Sequence, residues 1–72
     1  MSAPARFPIG TTYTGRNGRA CIVTDILSTY NAAGDLVRVR YIAAHQFAGQ
    51  MVLDVDVCDT TIARGNPQEP QQ

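Results

Sequence analysis

The cleanest pattern in the chain lies between Leu36 and His45, where Val37, Val39, Tyr41 and Ala43 alternate with Arg38 and Arg40. Period-two alternation sends successive side chains to opposite faces of a strand. The valines and Tyr41 are therefore expected in the core and the two arginines in solvent. A second run, Arg19 to Tyr30 (RACIVTDILSTY), is rich in β-branched residues and predicts another strand. Ile22, Thr24, Ile26, Ser28 and Tyr30 share one of its faces, and Cys21, Val23, Asp25 and Leu27 the other. Neither face is cleanly polar, which predicts a bulge or bend near Asp25. Asn31 to Asp35 reads as the hairpin loop between these strands, with Gly34 supplying the positive φ.

The flanking segments are shorter. Thr11 to Thr14 favours a strand by its β-branched and aromatic content. Gly15 to Gly18 then forms a turn, with Asn17-Gly18 as a two-residue hairpin signal. Phe47-Ala48-Gly49 breaks the alternation, and a further strand runs from Gln50 to about Val55. Met51, Leu53 and Val55 share one of its faces, Asp54 and Asp56 the other. If this strand pairs with its predecessor, Arg38 and Arg40 meet Asp54 or Asp56 across the hairpin. The last segment changes period. Asp56 suits an N-cap, Val57 with Thr61 and Cys58 with Ile62 are i, i+4 pairs, Arg64 falls in the last turn, and Gly65 stands where the chain leaves a helix. The spacing predicts a helix over 57–64, although its threonines also suit a fifth strand.

These elements predict a mainly β fold: a small antiparallel sheet of four to five strands, curled toward an SH3-like barrel, with one short C-terminal helical turn. The pattern does not separate an open sheet from a closed barrel. Residues 7–65 form the expected domain, 1–6 a flexible N-terminus and 66–72 a disordered polar tail, because N-P-Q-E-P-Q-Q has no apolar side chain to offset its ordering entropy. A chain of 72 residues builds a small core. Self-association or a protein partner is expected on size alone.

Charge changes the picture modestly. Six arginines balance five aspartates and Glu69, and lysine is absent. The first 45 residues carry +3 and the remainder −3, from the positions of these residues in the sequence. Zero net charge argues against nucleic acid as the main partner, since that binding rests on neutralising phosphates. The N-terminus has no apolar stretch of signal-peptide length and no segment is apolar enough to span a membrane, so a cytoplasmic setting is expected. In that setting Cys21 and Cys58, far apart and without a C-x-x-C, are expected as free thiols.

The stretches FPIGTTYT, TYNAAGDLVRVRYIAAHQFAGQ and DVCDTTIARG resemble short proteins of bacterial prophages and other mobile elements, over about residues 7–65. The resemblance implies a bacterial, intracellular, phage-linked setting. It carries no activity and no functional residue.

The chemistry-bearing residues stand alone. Cys21, Cys58, His45 and the aspartates lack the close ligand pairs of a zinc site, and buried thiols are the plainer reading. Cys58, at the start of the expected helix, is the one thiol whose position lowers a pKa. His45, at a strand end, reads first as a packing or surface residue. Asp54 and Asp56, two apart on a strand, read first as a solvated face. Arg16, Arg19, Arg38 and Arg40, with Tyr30 and His45, form the candidate binding face, an arginine and aromatic platform of the kind small barrels offer nucleic acid. The sequence thus points to a non-enzymatic module that binds a protein partner, with a nucleic-acid-binding module as the alternative. No catalytic residue, cofactor, metal or small-molecule substrate is inferred.

Overall fold

In the computed structural model, which describes residues 6–70, four strands follow one another as an antiparallel meander: β1 (Thr12–Thr14), β2 (Ala20–Tyr30), β3 (Leu36–Phe47) and β4 (Gln50–Val57). A 3-10 turn, Arg16–Gly18, joins β1 to β2, and one helix, α1 (Asp59–Arg64), follows β4. The fold is mainly β, and the sheet is curled but not closed into a barrel. The expected residues 1–5 of the flexible N-terminus, and 71–72 of the tail, lie outside the described residues.

Turn chemistry sets the meander. In the β2–β3 loop the Asn31 carboxamide oxygen accepts from the backbone N–H of Ala33 and Asp35, at 2.9 and 3.0 Å, and Gly34 holds φ at 86°. Between Phe47 and Gln50 the chain reverses in two residues, Ala48 and Gly49, both at positive φ. That is the handedness that matches the twist of the flanking strands. The β1–β2 connection is longer than the two-residue hairpin expected at Asn17-Gly18. Gly15 donates to the Arg19 carbonyl at 2.7 Å and the 3-10 turn fills the span between them.

β2 carries a bulge between Val23 and Asp25, where its two mixed faces required one. The inner face of the sheet then reads Tyr13, Cys21, Val23, Tyr41, Ala43 and Val57, all buried, with Ile62 of α1 packed against them. The helix is shorter than expected. It begins at Asp59, with Cys58 as N-cap, because Val57 ends β4 opposite Tyr41. Gly65 ends it for a steric reason: a Cβ there would collide with the Thr14 carbonyl oxygen, and the Thr14 N–H donates to the Gly65 carbonyl at 2.8 Å. The left-handed residue is Asn66, at φ 56°.

Three further expectations are corrected. The first concerns β4, whose Asp54 and Asp56 were expected on one face. Met51, Leu53 and Val55 face solvent, at 63, 56 and 63% exposure, while Val52 and Asp54 lie opposite His45 and Ala43 on the inner side. Val57 has the parity of the exposed residues yet is buried. An extra residue in β4, between the Ala43–Asp54 and Tyr41–Val57 pairs, reverses the side-chain direction. The bulge also parts Asp54 from Asp56.

The second correction concerns Val37, which is exposed because the β2–β3 hairpin runs on past the core. The molecule measures 43 × 23 × 22 Å, and its radius of gyration, 13.0 Å, exceeds the roughly 11 Å expected of a compact chain this long. The third concerns the tail. Residues 66–70 return along β1 instead of remaining disordered, and Thr12 and Gln68 exchange two backbone hydrogen bonds at 3.0 and 2.8 Å. The backbone supplies through that bridge what the side chains of this polar segment lack.

Candidate interaction surface

A polar recess opens on the inner face where β1, β2 and β3 run side by side. Tyr13 pairs with Cys21, and Cys21 with His45, so all three side chains leave the sheet in one direction. Asp54 on β4 shares that face and sets Oδ2 3.1 Å from His45 Nδ1. Arg19, at the exit of the 3-10 turn, reaches the other ring nitrogen: Nη1 lies 3.4 Å from Nε2, and its guanidinium stacks over Phe47 at 4.5 Å. A guanidinium only donates, so Nε2 accepts and a neutral ring carries its proton on Nδ1, toward Asp54. The Nδ1–H direction misses a good hydrogen-bond line to the carboxylate, and the contact is chiefly electrostatic.

The resulting cavity, about 350 Å³, is lined by Tyr13, Arg16, Arg19, Cys21, His45 and Asp54, with Gly15, Asp56, Val57 and Thr61 completing the wall. Burial, and after it the neighbouring Cys21 and Asp54, push the Tyr13 phenol well above its ordinary pKa. The Cys21 thiol, itself buried, donates to the Arg19 carbonyl at 3.7 Å, and His45 turns Nε2 to Arg19. The recess therefore holds a thiol, an imidazole and a carboxylate without a thiol–imidazole hydrogen bond, the contact that nucleophile activation uses. Among the described residues no group of three His, Cys, Asp or Glu is arranged to hold a metal ion.

The six residues of the candidate face do not converge. Arg16, Arg19 and His45 line the recess, whereas Arg38 and Arg40 border a shallow groove beside Cys58 and Asp59. Tyr30 stands exposed at the far end of the β2–β3 hairpin. Arg40 is engaged by Asp56, Nε to Oδ1 at 2.7 Å, one of the cross-strand pairs expected from the sequence; among the described residues no such pair forms at Arg38. Cys58 is half-exposed. The hydroxyls of Thr60 and Thr61, 3.1 and 3.4 Å from its sulfur, lead the interactions that lower its pKa to about 6. The expected thiol position is thus electrostatically distinctive, but no catalytic partner is seen to touch it.

The outer face offers something else. Ile22, Ala44 and Leu53 form one cross-strand row, and Leu27, Ile42 and Met51 lie on the same side of the sheet. Ile22, Leu27, Met51, Leu53 and Val55 are all exposed. This apolar surface runs to β4, the edge of the sheet. Sequence reasoning missed it because an apolar alternation identifies one face of a strand without saying which face is inside. The one sequence signal was Val57, whose place in the apolar series required a parity break in β4 if Asp54 was to meet His45.

None of the helices among the described residues is long and apolar enough to cross a membrane. No protein-family model, no curated protein and no solved structure matches this chain.

Proposed function

We propose that this chain is a non-enzymatic binding module that engages a protein partner through the outer face of its sheet and the free edge of β4. The observation that carries the reading is the exposure of Met51, Leu53 and Val55 on an edge strand whose far side no strand pairs with among the described residues. An edge strand presents unpaired N–H and C=O groups, and an extended segment can dock there with backbone hydrogen bonds for affinity and alternate side chains for selectivity. Three further features support it: the arginines are divided between two places, the recess residues are largely committed to one another, and the small core gains from burying more apolar surface.

Selection of extended peptides from a displayed library against the purified protein tests the reading. Enriched peptides are expected to slow amide exchange over 50–57 and to lose binding on Leu53→Asp. The proposal fails if no peptide is enriched, or if the protected amides lie elsewhere.

A further inference from the structure

We propose that the occupant of the β4 edge is a second copy of this chain, paired antiparallel about a two-fold axis that is normal to the sheet and lies midway between the two copies of Leu53. The inference rests on the binding-module reading and names its partner.

The two edges of the sheet are treated differently. The β1 edge is covered, since the chain brings Gln68 back to bridge Thr12. Among the described residues no strand pairs with the far side of β4, and from Gln50 to Leu53, ahead of the inward Asp54 and the bulge, it carries no proline, charge or bulge, the devices that keep edges apart. Its charges are confined to one half: Gln50 to Leu53 is uncharged, and Asp54 and Asp56 follow. An antiparallel copy lays the acidic half of one strand against the uncharged half of the other, so the strand is its own complement when reversed.

Charge also selects the register. With the axis normal to the sheet, matching faces meet and one residue lies opposite its own copy at the axis. An axis at Asp54 sets Asp54 against its own copy, and an axis at Val55 sets Asp54 against Asp56. Like charges directly opposite are destabilising. Axes at Val52 and Leu53 avoid both conflicts. The Leu53 register makes three apolar pairs on the outer face, Met51 with Val55, Leu53 with Leu53 and Val55 with Met51, where the Val52 register makes two. It also extends the Ile22–Ala44–Leu53 row across the axis into its counterpart.

The association is expected to be weak. Centred on Leu53, residues 50–56 of β4 overlap their copies, which spans about 24 Å at the strand rise, and with a sheet about 10 Å deep the edge offers roughly 240 Å² per copy, under a third of a standard interface. Dimerisation should therefore depend on concentration within the range that sedimentation reads.

The test is positional cross-linking in a Cys58→Ser background. Side chains directly opposite across an antiparallel pair have Cβ atoms about 5 Å apart, near disulfide reach. Leu53→Cys is expected to give a disulfide-linked dimer under mild oxidation at least tenfold faster than Met51→Cys or the outer-face control Thr29→Cys. In sedimentation the wild type is expected to shift toward dimer as concentration rises, and Leu53→Asp, with an unchanged circular dichroism spectrum, to remain monomeric. A wild type that stays monomeric at millimolar concentration overturns the proposal, as does cross-linking at position 53 no faster than at position 29. Faster cross-linking through Val52→Cys overturns the Leu53 register. If self-pairing fails while library peptides still protect residues 50–57, only the second-copy inference falls. If both fail, the binding-module reading falls with it.

Discussion

At the scale of single residues, two positions stand out by their backbone or their chemistry. Ala48 holds a left-handed conformation, φ 53°, in a turn that favours asparagine or glycine. A non-glycine residue pays roughly 1 kcal/mol or more for that conformation. Ala48→Asn is expected to recover about 1 kcal/mol, which for a domain of this size raises Tm by about 4–8 °C in a thermal melt. Cys58 is the second. Its folded-state pKa, about 6, lies below the ordinary 9.0 because the Thr60 and Thr61 hydroxyls and nearby backbone N–H groups favour the thiolate. Alkylation by iodoacetamide is expected to rise around pH 6 and to level off by neutrality, while Thr60→Val moves the rise to higher pH. A native rate that still climbs through pH 9 contradicts the assignment. Reactivity of this kind follows from the turn and needs no catalytic role.

At the scale of elements, α1 and the β2–β3 hairpin differ in how they are held. The helix has six residues, too few to be stable alone, and it survives by burying Ile62 completely and abutting β1 through Gly65. Gly65→Ala forces backbone to move at Thr14 and is expected to cost about 1–3 kcal/mol, the usual range for overpacking, read from a denaturant midpoint. The hairpin has the opposite problem. Beyond Ile26 and Tyr41 it is a two-stranded ribbon with Leu27, Tyr30 and Val37 exposed, and isolated ribbons are marginal in water. Amides over 27–30 and 36–39 are therefore expected to exchange well before those of 41–45, which lie between two strands. Uniform protection along β3 would count against this division.

For the whole molecule, polar groups gather in a recess on the inner face of the sheet and apolar groups stay exposed on its outer face. The recess joins His45 of β3 both to Arg19, just ahead of β2, and to Asp54 of β4, while the outer face leaves Ile22 and Leu53 of its apolar row exposed. Stability should also show a global limit at high pH. The buried Tyr13 and Tyr41 phenols both have pKa values raised above 10.0, chiefly by desolvation. Above pH 10 the unfolded chain releases those protons and the folded chain keeps them, so stability is full below that pH and is lost as pH rises beyond it. Tyrosinate absorbance from these two residues is expected to appear together with loss of circular dichroism. Ionisation of both before any unfolding would show that neither is held as described.

Local rules carried much of this protein. The alternation of Val39, Tyr41 and Ala43, the Asn31–Gly34 loop, the bulge beside Asp25 and the Arg40–Asp56 pair each depend on neighbours within one strand or one hairpin, and all were legible in the residues. The limits of the core were not. Whether Met51, Leu53 and Val55 turn inward depends on one extra residue in β4, and whether Val37 is buried depends on how far the core extends under the hairpin. The assembly of Arg19, His45 and Asp54 required the register of three strands at once. The sequence by itself determined the strands and their order of reversal, because these follow from period, β-branching and turn residues. Only the tertiary structure decided which face of β4 meets water, because a bulge exchanges the two faces without altering the alternation that defines them.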